Sequence, residues 1–208
     1  EIALRLVGSE MCIRDSDSAP VFAMRVSYAG ELGWELHMPV WQLISIYESL
    51  MQFGQPLGLR DFGTRAFNSM RMEKMYRAYG AEFTEEISAL EAGMNRFLDL
   101  SRHFIGSENL LQRQTAGLSM QLAYLVFDDQ IPAECFGNEA VFANGDHSGI
   151  ITGGAYGYRV EKSLAFAYLK PEHCKAGQAL TVETSVGTRR CHVELDPAYN
   201  PNNSLLRS

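Results

Sequence analysis

Six short apolar runs in the second half of this chain constrain its fold more than anything else in it. They cover residues 121–127, 140–143, 149–152, 163–169, 179–184 and 189–195, and groups of Asn, Asp, Gly and Pro separate them. Runs of this length and spacing predict strands of a small antiparallel barrel or sandwich. The texture changes near residues 115–118, where we place a domain boundary. Residues 116–208 are the β domain, and residues 18–115 mix strands with helices.

In that first part, Phe22, Met24, Val26 and Tyr28 alternate with Ala23, Arg25 and Ser27, the pattern of a half-buried strand. Gly30 and Gly33 allow a tight reversal. Trp34, Leu36 and Met38 then alternate with Glu35 and His37 up to Pro39, so Glu35 and His37 share the face opposite the apolar one. Apolar positions predict a helix over 41–53 stopped by Gly54, and a second over 62–79 stopped by Gly80. Ser88 and Glu91 form a capping-box pattern opening a short helix to about residue 97. Ser107 reads as the cap of a further helix. The fold class is therefore α+β: an α/β lobe followed by a small antiparallel β-barrel. Residues 1–17 stand apart. Gly8-Ser-Glu-Met-Cys-Ile-Arg-Asp-Ser-Asp17 has neither helical nor strand periodicity. It resembles translated sequencing-adapter read-through, so we set residues 1–17 aside as a foreign segment.

Composition narrows the function. Hydrophobic residues are 46% and charged residues 21% of the 208, with a net charge of −7, the profile of a soluble globular protein. That charge argues against nucleic-acid binding, which needs clustered Lys and Arg. No run approaches the roughly 20 apolar residues that span a bilayer. Cys12, Cys135, Cys174 and Cys191 are scattered without metal-ligand spacing, so we expect free thiols in a reducing compartment and no metal site. Gly153-Gly-Ala-Tyr-Gly-Tyr158 lacks the strand–loop–helix context of a dinucleotide loop.

The candidate ligand-binding residues lie in Tyr28-Ala-Gly-Glu-Leu-Gly-Trp-Glu35 and Asn68-Ser-Met-Arg-Met-Glu-Lys74. A carboxylate such as Glu35, held rigid beside a glycine turn, can accept two parallel hydrogen bonds from a flat ring that presents matched N–H donors. The bare pattern equally describes a surface glutamate on a hairpin. Tyr28 and Trp34 either line the same turn or pack in the core, and Trp34 alternates with the apolar set. Arg65, Arg71, Lys74 and Arg77 are the basic candidates on the second helix. Their alternative is a solvated face on which Glu73 pairs with Arg77 at i,i+4 spacing.

These segments resemble the glycine-cleavage T-protein (aminomethyltransferase) family. The Glu73-Lys-Met-Tyr-Arg-Ala-Tyr-Gly80 run, Leu90-Glu-Ala-Gly-Met94, Ile150-Ile-Thr-Gly-Gly154 and Asp196-Pro-Ala-Tyr-Asn-Pro201 look most like the region fused to sarcosine and dimethylglycine dehydrogenases. The resemblance implies a tetrahydrofolate site in which Glu35, after Gly33-Trp34, holds the pterin, with Tyr28, Trp34, Arg65 and Arg71 as neighbours. Arg71 matches the arginine of the family's Leu-Arg-Leu-Glu segment and reads as supporting the site. Phe67 stands where the family has a folate-contacting arginine one turn earlier, and Asn203-Ser204 where the T-protein has a tyrosine. The resemblance further implies an N-methyl amine substrate, and a catalytic aspartate and an FAD domain upstream of this chain. The fragment alone is then expected to be inactive, in a bacterial cytoplasm or a mitochondrial matrix. A stand-alone aminomethyltransferase and a non-catalytic folate-binding module are the alternatives.

Overall fold

A computed structural model describes residues 11–16 and 19–205, with side chains from residue 21 onward. The chain divides into two compact units between Met70 and Arg71. Described residues up to Met70, with 202–205, form the first, and Arg71–Pro201 the second.

In the first unit, β1 (Met11–Ser16), β2 (Ala19–Met24) and β3 (Glu35–His37) form an antiparallel sheet in that order. Backbone pairing makes β1 a strand (Ile13 opposite Phe22) although its sequence shows no strand period. β2 ends at Met24, four residues before the expected Tyr28, and the tight reversal is instead the loop 25–34. The Val26 N–H turns back onto the Met24 carbonyl at 3.0 Å and bends the chain off the sheet. The two limbs of the loop then approach closely: a Cβ on Gly33 would sit 2.8 Å from the Val26 oxygen. The face expected to be apolar and buried is open, with Trp34 40% and Leu36 38% exposed.

Helix α1 (Leu43–Gly54) lies between single 3₁₀ turns at Val40–Gln42 and Gln55–Leu57. The stop falls at Gly58 (φ 88°) rather than Gly54. Gly54 is the last residue of the helix, and its lack of a side chain makes room for Leu59, whose Cδ2 would lie 2.4 Å from a Cβ there. Helix α2 (Thr64–Glu73) is shorter than its sequence pattern. Met75 takes a left-handed φ of 58°. The Met75 N–H reaches the Met72 carbonyl at 3.0 Å and the Tyr76 N–H the Arg71 carbonyl at 2.9 Å. That pair of bonds is a Schellman stop with methionine in the place usually held by glycine.

In the second unit, the Ser88–Glu91 capping box forms as read: the Glu91 N–H meets Ser88 Oγ at 3.3 Å and the Ser88 N–H meets Glu91 Oε2 at 2.9 Å. It closes one turn rather than a helix, and only Asn95–Phe97 continues as 3₁₀. α3 (Ser107–Ala116) is capped by Gly106, not Ser107. Ser107 Oγ instead accepts the Phe104 N–H at 3.3 Å.

Six strands then close a barrel: β4 (Gln121–Phe127), β5 (Ala140–Ala143), β6 (Asp146–Gly157), β7 (Lys162–Leu169), β8 (Ala179–Thr184) and β9 (Gly187–Glu194), ordered β4-β7-β6-β5-β8-β9. Every pairing is antiparallel, so closure removes the exposed edges an open sheet would leave. Alternation sorts the side chains. Ala123, Leu125, Phe127, Ala165, Ala167 and Leu169 fill the interior with Val141, Ile151, Val182 and Val193. The outward residues Leu122, Tyr124, Val126, Leu164, Phe166 and Tyr168 are buried too, beneath Met72, Met75 and Ile87. β4 and β7 are therefore covered on both faces, which is why they read as continuous apolar runs rather than alternating ones.

Candidate functional site

The strand β3 presents Glu35 and His37 on one face, as a period of two requires. Their side chains meet, His37 Nε2 to Glu35 Oε2 at 3.4 Å, and each is 53% exposed. The His37 ring also packs edge-on against Phe22, its cross-strand neighbour, at 5.8 Å between centroids. Glu35 thus stands on a paired strand, oriented by a histidine, with half its surface open to accept donors from a ligand. Trp34, the residue before β3, keeps 40% of its surface open. Tyr28, in the loop 25–34, rests its ring on Phe67 at 5.3 Å and 37°. The phenylalanine at the position implied to hold an arginine is thus an aromatic support for Tyr28. Arg65 is exposed in the first turn of α2.

Arg71 has a different setting. Six positions on from Arg65 it falls on another side of the helix, and it is 5% exposed. Its guanidinium donates to Glu82 Oε2 at 2.8 Å and to the Tyr76 carbonyl at 3.0 Å, above the Phe166 ring. Glu82, fully buried, also accepts the Ala78 N–H at 2.7 Å and the Thr152 hydroxyl at 3.0 Å. Its own carbonyl accepts the Tyr168 hydroxyl at 2.7 Å. Thr152 sits where the register of β6 slips between Ile151 and Gly153, so the bulge aims its side chain outward at Glu82. Burial, then the Glu82 charge, pushes the Tyr168 hydroxyl well above the usual tyrosine range and keeps it a donor. Arg71 therefore supports structure: it locks the segment after α2 onto the barrel wall.

In place of the alternative solvated face, Arg71, Glu73 and Lys74 form a buried polar layer, with Arg77 half-buried. Glu73 is 2% and Lys74 1% exposed. Since α2 stops at Glu73, no i,i+4 pair with Arg77 forms. Glu73 accepts the Arg159 N–H at 2.7 Å, and Lys74 Nζ donates to the Asn200 and Tyr199 carbonyls at 2.7 and 3.3 Å. Periodicity missed Glu82 as an organising residue and gave Lys74 as a basic candidate without its burial. Their signal is the clustering of Arg71, Glu73, Lys74, Arg77 and Glu82 in one short stretch. Glu91 is likewise structural, paired with Arg113 at 3.0 Å.

Among the described residues no group of three or more His, Cys, Asp and Glu can hold a metal ion. The glycines of 153–157 lie inside β6, where a Cβ on Gly154 would come 2.7 Å from the Leu164 oxygen. Cys135, Cys174 and Cys191 are free thiols. Burial pushes Cys135 and Cys191 up to about 12 and Cys174 up to about 11, so none is a nucleophile at neutral pH.

An α/β lobe followed by a closed six-stranded barrel is the architecture of aminomethyltransferase T. The crystal structure of that protein from Bartonella henselae superposes with a TM-score of 0.83 over 96% of this chain and 54% of its own, at 19% identity. The GCVT N-terminal domain model matches residues 10–102 and the glycine cleavage T-protein C-terminal barrel domain model residues 121–200. The chain belongs to the glycine-cleavage T-protein family. It is 42% identical over 167 residues to mitochondrial dimethylglycine dehydrogenase of Mus musculus, covering 79% of this chain and 19% of that enzyme. It is 32% identical over 197 residues to mitochondrial sarcosine dehydrogenase of Homo sapiens, covering 90% and 21%. The chain thus spans about a fifth of the length of these dehydrogenases and about half of the aminomethyltransferase.

Proposed function

We propose that this chain is the tetrahydrofolate-binding part of a flavin-dependent N-methyl amine dehydrogenase, of the sarcosine or dimethylglycine type. The observation that carries this reading is the 42% identity to a dimethylglycine dehydrogenase over 79% of the chain. The geometry of β3 supports it. A half-open carboxylate on a rigid strand, with His37 on the same face, suits a flat heterocycle that offers two parallel N–H donors. Glu35 holds the pterin, Trp34 and the Tyr28–Phe67 pair border it, and Arg65, exposed in the first turn of α2, is the neighbouring cation on the folate's anionic tail. Arg71 fixes the end of α2.

In such an enzyme the flavin, bound elsewhere in the polypeptide, supplies the oxidation of the N-methyl group. This chain's own residues hold and orient the acceptor that receives the one-carbon unit as 5,10-methylenetetrahydrofolate. The compartment is a reducing one, a bacterial cytoplasm or a mitochondrial matrix. No helix among the described residues is long and apolar enough to cross a membrane.

The test is product formation by the full polypeptide that carries this chain, supplied with dimethylglycine or sarcosine and tetrahydrofolate. The expected result is 5,10-methylenetetrahydrofolate in step with amine consumption. Product only from an aminomethyl-lipoyl carrier protein would make it an aminomethyltransferase instead. Folate binding with neither activity would make it a binding module.

A further inference from the structure

The hairpin that joins β5 to β6 puts a reactive dipeptide in an open place. Asn144 and Gly145 form its two-residue turn, between Ala143 and Asp146, which pair across the ladder. Both turn residues are left-handed, with φ of 52° and 89°, the type I′ form that matches the twist of the flanking strands. Asn144 is followed by glycine, as no other asparagine of the 208 residues is. Both residues are exposed, and a Cβ on Gly145 would meet nothing within 4 Å. The Gly145 N–H thus sits in the turn, outside the strand pairing, with open space around it.

The same tip is the least secured part of the barrel wall. β5 has four residues, fewer than any other barrel strand. Its pairing with β8 covers Val141 and Phe142 alone, and its register with β6 slips between those same two residues. Beyond the slip, Phe142 faces His147 and Ala143 faces Asp146. The Phe142 and His147 rings meet edge-on at 5.9 Å. A strand end held by so few pairs opens locally at small free-energy cost. The opened turn leaves its left-handed form and brings the Asn144 carboxamide within reach of the next backbone nitrogen.

We propose that Asn144 is a site of spontaneous deamidation. The Gly145 nitrogen, its proton taken by hydroxide, bonds to Asn144 Cγ, and the Cγ–Nδ2 bond breaks to release ammonia. Water then opens the five-membered imide at either carbonyl, which leaves aspartate or isoaspartate at 144. Nothing is oxidised or reduced. Glycine permits the ring to close because it carries no Cβ to obstruct it. The other asparagines each fail a requirement. Asn138 shares the left-handed form, with φ of 69°, but its N–H is tied to the Ile151 carbonyl at 2.8 Å and Glu139 follows it. Asn200 precedes Pro201, which has no N–H to attack with. Asn68, Asn95, Asn109, Asn202 and Asn203 are all followed by residues with a Cβ. The modification changes the hairpin. Isoaspartate routes the main chain through the former side-chain methylene, so it lengthens a turn that fits at two residues, and either product adds a charge beside Asp146. The inference rests on the hairpin and not on the folate reading.

The test ages the full polypeptide that carries this chain in mildly alkaline buffer, with circular dichroism confirming that it stays folded. Peptide mass mapping follows each asparagine, and an isoaspartate-specific methyltransferase reads the isomer. The expected result is a gain of about one dalton at Asn144, at least about tenfold faster than at any other asparagine of this chain. Gly145→Ala should slow the reaction at Asn144 by at least about tenfold. Two results would overturn the inference: Asn144 keeping its amide, or losing it no faster than Asn203, which serine follows.

Discussion

At the scale of single residues, the charges of this protein divide into those that face water and those that organise its interior. Glu35 is of the first kind and Glu82 of the second. Glu82 is fully buried, and its two oxygens accept from a guanidinium, a backbone amide and a hydroxyl. Replacing it with glutamine leaves the Arg71 charge buried without its counter-ion. Removing one partner of such a pair costs about 3–5 kcal/mol. Urea unfolding of the Glu82→Gln chain, followed by circular dichroism, should show that loss, and a change under about 1 kcal/mol would place the pair outside the folded core. The thiols give a second residue-scale test. With Cys135 and Cys191 pushed up to about 12, the native thiolate fraction at pH 8 is lower than that of an ordinary cysteine by about three orders of magnitude. Peptide-resolved iodoacetamide labelling should therefore be slow at both sites in the folded chain and fast in urea. Equal rates would contradict the burial.

At the scale of elements, the barrel rests on backbone approaches that leave no space for side chains. A Cβ on Gly149 would lie 1.9 Å from the Tyr168 carbonyl oxygen, on the strand pair β6–β7. Gly149→Ala must push those strands apart and should destabilise by more than about 2 kcal/mol, whereas Gly145→Ala, where a Cβ meets open space, should cost about 1 kcal/mol through its positive φ alone. Equal costs would refute the steric account. The loop 128–139 is tied down by Arg189, which grips Asp129 at 2.6 and 3.0 Å and the Ile131 and Ala133 carbonyls at 3.0 and 3.2 Å. The Arg189 hydrogen bond holds the Asp129 carboxyl below the usual carboxylate range. A depressed folded value means the contribution is complete above the unfolded value, about 3.9, and is lost as pH falls through the folded one. Protection of the amides in this loop should therefore decline below about pH 4 in the wild type but show no such step in Asp129→Asn.

The elements also show what the sequence could convey. Strands 121–127, 140–143 and 179–184 were legible to the residue, because short apolar runs and the turn residues that flank them act locally. The end of α2 was not. Its apolar period runs on to Tyr79, and the stop depends on Met75 taking a conformation that carries no sequence signature in a methionine. That single misplacement turned a buried layer of Arg71, Glu73 and Lys74 into an apparent solvated face. β1 was illegible for the opposite reason: its partner β2 dictates its pairing. At the site, the shared face of Glu35 and His37 was legible from alternation. The exposure of Trp34 and Leu36 was not, since an apolar pattern reports what a strand is suited to bury and not whether a partner is at hand.

At the scale of the whole molecule, the two units differ in kind. Arg71–Pro201 carries a closed barrel with its interior filled and the outer faces of β4 and β7 covered by Met72, Met75 and Ile87. The residues before it carry the candidate folate contacts on a sheet and helices in which, of the described residues 21–70, only Gly30 and Ser69 are buried. The account turns on Glu35 as the anchor of the pterin. The measurement that tests it most directly is calorimetric titration of tetrahydrofolate into the full polypeptide that carries this chain, wild type against Glu35→Gln. Loss of a charge-assisted bidentate acceptor should weaken binding by about 1.5–3 kcal/mol, more than tenfold in Kd. His37→Ala, which frees the carboxylate from its orienting partner, should have a smaller effect of the same sign. Equal affinity for wild type and Glu35→Gln would contradict the account and place the folate elsewhere.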